Sequence, residues 1–191
     1  MTGRVEIHPT ADVAEGASIG SGTRVWQHCV LLSGAIVGQD CKLAHNVFVE
    51  SGATVGDRVT VKDNVVLYDG VKIADDVFIG PNAVFTNVSN PRSFVSRKGD
   101  FESTKIGKGA SIGANATIVC GHSVGAYALI GAGALVARDV PDYALVLGNP
   151  AHQIGWVSRA GCRMGDDLVC PETGEKYVKC NTGLMATPED K

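Results

Sequence analysis

The chain has 191 residues, 24 of them glycine and 7 proline, and a formal net charge of -3 from 17 Lys+Arg and 20 Asp+Glu. Glycine at nearly twice its usual share of about 7%, with no G-x-y period, excludes collagen, and 45% hydrophobic content excludes a disordered or linker-like chain. The charge balance gives no reason to expect a nucleic-acid partner, which shows as a basic patch, and no apolar run approaches the roughly 18 residues of a membrane span.

The first segment, MTGRVEIHPTADV, has no apolar stretch of the signal-peptide kind, so a cytoplasmic protein without membrane contact is expected. From Ile7 onward a period of six governs the chain. Ile7, Val13, Ile19, Val25, Leu31, Val37, Leu43, Val49, Val55, Val61, Leu67, Ile73, Ile79 and Phe85 are all apolar. Two places before these positions stand small residues, among them Ala11, Ala17, Thr23, Cys29, Ala35, Cys41 and Ala53. Glycine often follows, as at Gly20, Gly38, Gly56 and Gly80.

Six matches neither the 3.6 of a helix nor the 2.0 of a single strand. It matches a chain wound as a triangular prism, with one aliphatic side chain per side pointing inward and glycine relieving the turns. Cys29, Cys41 and Cys120 lie inside this repeat and are expected to be reduced packing residues.

After Phe85 the phase is lost over TNVSNPRSFVSRKGDFESTK, and Pro91, Arg97 and Ser103 fall where aliphatic residues would be. A connection of this length without structure of its own is uncommon and often functional. Arg92, Arg97, Lys98, Lys105 and Lys108 make the region basic, which suits a phosphorylated ligand. The bland alternative is a tolerated insertion in a repeat protein.

The period resumes with Ile106, Ile112, Ile118, Val124, Ile130 and Val136. Within this run His122 occupies a place otherwise held mostly by Ala, Val, Thr or Cys. A polar ring there needs a partner or a cavity. Around GAGALV at 131–136 the wall is nearly free of side chains, which suits a pantetheine arm or, more simply, tight turns. The run is broken again after Val136. A short helix over 151–164 would cover the last coil. The tail offers a hairpin around Glu172, Thr173 and Gly174 and a loose final ten residues. Cys162, Cys170 and Cys180 are spaced too loosely for a zinc knuckle, and no metal is expected.

These repeats resemble the left-handed parallel β-helix of hexapeptide-repeat proteins, here about seven coils. The expected fold is all-β, with a prism over 1–140 that includes the loop 86–105, and a capping extension over 141–191. The hand comes from the resemblance, since the usual crossover rule favours the opposite one.

The stretches NVVLYDGV (64–71), FIGPNAVFTNVSNPRS (78–93), GANATIVCGHSVG (113–125), GAGALVARDVPDYALVLGNPAHQIGW (131–156) and CPETGEKY (170–177) further resemble the nucleotide-sugar N-acetyltransferases of that group. The branch they most resemble acetylates the 3-amino group of UDP-2-acetamido-3-amino-2,3-dideoxy-glucuronate in lipopolysaccharide O-antigen synthesis. The resemblance implies acetyl-CoA as co-substrate, a nucleotide-linked amino sugar as acceptor, and a homotrimer with active sites between subunits. It places acetyl-CoA along Gly113, Gly131, Ala132, Gly133 and Arg138, with Asn149 and Pro150 near the CoA end.

The same resemblance puts Asn87 at the sugar amine and makes Arg92 the partner of a carboxylate or phosphate, with Tyr68 and His28 as pocket candidates. His122 is the candidate base; the alternative that the resemblance leaves open is a branch without a protein base, in which water and the departing thiolate take the proton. The alternative acceptor is a dTDP-3-amino-3,6-dideoxyhexose, which lacks a carboxylate. A carbonic-anhydrase-like zinc enzyme of the same fold would need about three converging ligands, and its paired histidines are missing. A non-catalytic scaffold would leave the basic loop unexplained.

Overall fold

The computed structural model describes residues 3–187. Residues 6–147 wind as an all-β, left-handed parallel β-helix. Each side of the prism is a strand of mostly two residues, and the sides repeat in threes. The first face stacks Glu6–Ile7, Arg24–Val25, Lys42–Leu43, Thr60–Val61, Phe78–Ile79, Ser111–Ile112, Leu129–Ile130 and Ala144–Leu147. The second stacks Asp12–Val13, Val30–Leu31, Phe48–Val49, Val66–Leu67, Val84–Phe85, Thr117–Ile118 and Leu135–Val136. The third runs from Ser18–Ile19 through Ile36–Val37, Thr54–Val55 and Val71–Ile73 to Thr104–Ile106, and single bridges carry it on through Val124 to Val140.

The residue that ends most of these pairs points inward, which is why the six-residue aliphatic period was visible. Leu31, Leu43, Leu67, Ile79, Phe85, Ile112, Ile118 and Ile130 are fully buried. The small residues two places earlier are buried as well, Cys29, Ala35, Cys41 and Ala53 among them. Burial pushes the Cys29 and Cys41 thiols above their usual range, as packing thiols require. At the corners the chain adopts left-handed backbone, often with Asn or Asp, the non-glycine residues that tolerate it best. Asn46, Asn64 and Asn82, with φ of 59°, 61° and 57°, stack into a ladder. Asn46 Nδ2 donates to Asn64 Oδ1, and Asn64 Nδ2 to Asn82 Oδ1, each at 3.0 Å.

Rungs below the loop pair 18 positions apart, as Thr60 does with Phe78. Across the loop Val71 pairs with Thr104, Phe78 with Ser111 and Val84 with Thr117. Each of these steps is 33 positions, so the insertion adds 33 − 18 = 15 residues without disturbing register. Because Thr104–Ile106 already belongs to the third face, the irregular segment is 87–103, narrower than the 86–105 expected. Above it one coil is two residues short: Leu129 pairs with Leu145 and Val124 with Val140. That deletion hid the rung at Ala144–Leu147, and the prism has about eight coils where the period suggested seven.

Residues 151–164 do not form the expected helix. His152–Trp156 folds back as a strand antiparallel to Ala144–Leu147, with a bulge between Leu145 and Val146. Gly155 and Gly161 weaken a helix here, Ile154, Trp156 and Val157 favour a strand, and the last rung offers an edge of unpaired backbone groups. The turn at Glu172–Gly174 carries one antiparallel bridge, Val169 to Lys176. A longer ladder joins Tyr177–Cys180 to Gly183–Ala186, so the expected loose tail is ordered through Thr187. Residues 188–191 lie outside the described residues.

The tail builds a second small core from Tyr143, Met164, Cys170, Tyr177 and Leu184. Tyr127 and Tyr143 stack with centroids 5.1 Å apart. Tyr177 meets Tyr143 edge-on, and the Arg159 guanidinium lies 5.5 Å over the Tyr127 ring. These contacts fasten the extension to the corner between the third and first faces.

Candidate functional site

Register places the expected site residues on two corners of the prism. The pairing Val66–Val84–Thr117–Leu135 aligns the segments that follow these strands. Tyr68, Asn87, His122 and Arg138 therefore leave the second face on four successive coils. Thr86 Oγ1 accepts the Cys120 N–H at 2.9 Å, tying the start of the loop to the coil above.

The neck of the loop is closed by the Glu102 N–H, which donates to the Asn87 carbonyl at 3.0 Å. Thr104 N–H donates to the Gly70 carbonyl at 3.1 Å. His122 is half-buried, with Nδ1 3.9 Å from Asp139 Oδ1. That same oxygen accepts the Ser123 N–H at 2.8 Å, so Asp139 is held beside the ring.

Glu102 is the site residue that sequence reasoning missed. Its carboxylate lies against Gly121, where a Cβ would come within 2.5 Å of Oε2. It sits outside the six-residue phase and carries no motif, so only the folded neck brings it beside Asn87 and the residue before His122.

Beyond the neck the loop is exposed. Arg92 Nη1 donates to the Pro91 carbonyl at 2.9 Å, Val95 N–H to the Arg92 carbonyl at 3.1 Å, and Asp100 N–H to the Arg97 carbonyl at 3.0 Å. Arg97 lies 3.8 Å from Asp100, and Phe94 is 85% exposed. The basic character is more local than the sequence suggested. Lys105 sits on the third face in register with Lys72, and Lys108 faces Asp76 at 3.7 Å on another corner. Arg92, Arg97 and Lys98 are the loop's own cations.

The corner between the first and second faces carries the rest. His28 is exposed there, edge-on to His45 at 5.3 Å, several coils below Gly113 and Gly131–Gly133. These glycines differ in environment. A Cβ on Gly113 would overlap Ala132 N and come within 2.6 Å of the Gly131 carbonyl carbon, and one on Gly131 would overlap the Leu147 side chain. Gly131 is therefore a packing position covered by Leu147. The bare wall is Ala132 and Gly133, both exposed, and a Cβ on Gly133 would meet nothing within 4 Å. Asn149 and Pro150 are exposed in the turn above, which Leu135 anchors through bonds to the Gly148 carbonyl and the Ala151 N–H. Arg138 and Asp139 line a cleft of about 270 Å³ at the top of the prism with His152 and Gln153.

The second face separates the two corners within one chain. Its outward side chains run Asp12, Val30, Phe48, Val66, Val84, Thr117 and Leu135 in one register, a mostly apolar row interrupted at Thr117, with Val84 49% exposed. In the tail, the Ser158 and Thr173 hydroxyls draw the Cys170 thiol down to about 7, while the Glu172 carboxylate raises Cys162 to about 11. Among the described residues no three His, Cys, Asp or Glu side chains converge as metal ligands would, and no helix is long and apolar enough to cross a membrane.

Residues 52–87 match the bacterial transferase hexapeptide family (six repeats), and residues 103–138 match the hexapeptide repeat of succinyl-transferase. The two matches stop at the edges of the loop. The dTDP-3-amino-3,6-dideoxy-alpha-D-galactopyranose 3-N-acetyltransferase of Aneurinibacillus thermoaerophilus is 46% identical over 80 residues, 40% of this chain and 41% of that protein. Serine acetyltransferase 4 of Arabidopsis thaliana is 50% identical over 52 residues, 27% of this chain and 15% of the relative.

Among solved structures, the acetyltransferase domain of PglB from Neisseria gonorrhoeae FA1090, in complex with acetyl coenzyme A, superposes with a TM-score of 0.53 at 26% identity. The match covers 80% of this chain and 58% of that one. A hexapeptide transferase family protein from Anaplasma phagocytophilum has a TM-score of 0.56 at 16% identity, with 82% and 81% covered, a likeness of fold. The chain spans about two-fifths of the first curated relative it matches.

Proposed function

We propose that the chain transfers an acetyl group from acetyl-CoA to the amino group of a nucleotide-linked 3-amino sugar. The observation that carries this reading is the juxtaposition at one corner of Asn87, His122 and a basic loop, on a prism whose 80-residue match is to an amino-sugar 3-N-acetyltransferase. A dTDP-3-amino-3,6-dideoxyhexose is the acceptor that this similarity favours. The UDP-linked 3-amino uronate is the second reading, favoured by exposed Arg92, whose guanidinium pairs bidentately with a carboxylate. Both substrates belong to the cytoplasm, where acetyl-CoA and nucleotide sugars are supplied.

The apolar row on the second face supports a trimer. Three such faces packed together set the Asn87 corner of one subunit near the Gly133 corner of the next. Acetyl-CoA would lie along the bare wall of Ala132 and Gly133, with Arg138 toward its phosphates and Asn149 and Pro150 above. It supplies the activated acetyl group.

The chain's own residues position an amine at the thioester carbonyl, the largest part of such a rate gain. The amine nitrogen bonds to the carbonyl carbon, CoA leaves as thiolate, and the nitrogen loses a proton. Asn87 orients the amine and has no basic site. His122, its Nδ1 facing Asp139, keeps Nε2 free to take the proton.

Thiol release from acetyl-CoA with a panel of nucleotide-linked amino sugars tests the reaction. The dTDP-linked deoxy sugar is expected to turn over at least about tenfold faster than the UDP-linked uronate. The reverse order selects the second reading, and no release with any amine removes both. His122→Ala is expected to lower kcat/KM by at least about tenfold at neutral pH, less than the roughly 100-fold or more usual for a general base because water and thiolate remain. A value within threefold of wild type assigns the ring a structural role.

A further inference from the structure

We infer that the Glu102 carboxylate recognises the acceptor as an ammonium ion and so makes the site selective for an amine over a hydroxyl. The inference rests on the reaction proposed above and adds to it the group that reads the acceptor nitrogen.

Three observations carry it. Glu102 closes the neck of the loop through its backbone bond to Asn87, so its position is set by the same turn that presents the carboxamide. Its carboxylate is laid over Gly121, with a hypothetical Cβ at 2.5 Å from Oε2, and the φ of 79° at this position favours glycine. Among the described residues the carboxylate forms no ion pair and no hydrogen bond, although Arg97 finds Asp100 and His122 finds Asp139. A half-buried carboxylate left without a partner gives nothing to the fold.

The chemistry of the acceptor supplies the missing partner. An aliphatic amine with a pKa near that of an α-amino group, about 8, is mostly protonated at neutral pH. The charge-assisted bond it makes to a carboxylate is roughly twice as strong as a neutral one. A hydroxyl at the same carbon makes only the weaker bond. Before attack the bound ammonium gives one proton to solvent at the exposed loop. The neutral amine so formed is the nucleophile, its second proton leaving after the carbon–nitrogen bond forms. The loop cations Arg92 and Lys98 form no ion pair among the described residues, unlike Arg97 with Asp100, and are left to meet the phosphates, so opposite charges on one loop sort the two ends of a nucleotide-linked amino sugar.

The test compares calorimetric binding of a 3-amino nucleotide sugar with its 3-hydroxy counterpart, in dTDP-linked and UDP-linked pairs, alongside thiol release. Wild type is expected to bind an amine about tenfold tighter than the matching alcohol, the size of a hydrogen bond to a charged group. Glu102→Gln, which keeps shape and removes charge, is expected to reduce that ratio below threefold. Its KM for acetyl-CoA and its melting temperature are expected to stay unchanged. Gly121→Ala, which crowds the carboxylate, is expected to reduce the ratio too, and its own fold is checked by its melt. The inference is overturned if Glu102→Gln keeps the full ratio, or if wild type shows no preference in either pair. Loss of the ratio with thiol release absent in wild type would instead refute the transferase reading and leave the amine site standing.

Discussion

A chain in which residues 88–101 are replaced by two glycines is expected to melt no more than about 3 °C below the intact protein while losing about 100-fold or more in kcat/KM for the amino sugar. Register is unaffected by the loop, since Val84 pairs with Thr117 and Val71 with Thr104 across it. Nearly all of 88–101 is exposed, and the bonds beyond the neck are local, as from Val95 to Arg92 and Asp100 to Arg97. Shortening a flexible loop changes its closure entropy by only about 0.6 kcal/mol per halving.

The replacement keeps Asn87 and Glu102. It removes Arg92 and Lys98, the groups proposed to hold the nucleotide end, along with the Arg97–Asp100 pair, and misplacing a substrate by about 1 Å costs about 100-fold. Thermal melts and steady-state kinetics on the one variant read both halves. Activity within threefold of the intact protein would make the loop a tolerated insertion.

Gly113→Val is expected to act in the opposite way, on the fold itself. Successive coils stack at the spacing of paired strands, about 4.8 Å, and the backbone above Gly113 already occupies the place of a Cβ, in conflict with Ala132 N and 2.6 Å from the Gly131 carbonyl carbon. The obstructing atoms are all backbone of that coil, so no flexible chain end can move aside. The cost is expected to be about 3 kcal/mol or more, a fall of roughly 6–12 °C in melting temperature. Gly133→Ala is the control. A Cβ there meets nothing within 4 Å, and the residue carries only its φ of 70°, worth about 1–2 kcal/mol. Equal melts for the two variants would refute the account of Gly113 as a stacking position.

How much of this was legible in the sequence depended on whether a residue answers to the repeat. Val25, Leu67 and Ile79 obey one phase, and Ile130 the same period restarted after the loop, because each fills the inward slot of its own strand, so the prism was legible from the repeat alone. Ala144–Leu147 could not, because a two-residue deletion shifts the slot from 142 to Val140. The helix expected over 151–164 failed for a related reason. Local preference there is ambiguous, and the open backbone of the last rung decides the outcome.

At the site, Asn87 and His122 stood out as polar residues that break or border the pattern. Glu102 did not, since its role is set by a contact with Gly121, 19 positions later, across the loop. The two-corner division of His28, Gly133 and Tyr68 follows from register, which no single motif records.

The asparagine ladder has a consequence for how the molecule comes apart. Asn64 both accepts from Asn46 and donates to Asn82, so removing it severs two links, whereas removing Asn46 or Asn82 severs one. Each coil holds only its neighbours, above and below, through backbone, aliphatic and amide contacts alike. Cohesion in such a stack is a chain of nearest-neighbour couplings. Melting should therefore advance as a front along the axis, and a break at Asn64 should let the coils on either side of it loosen separately.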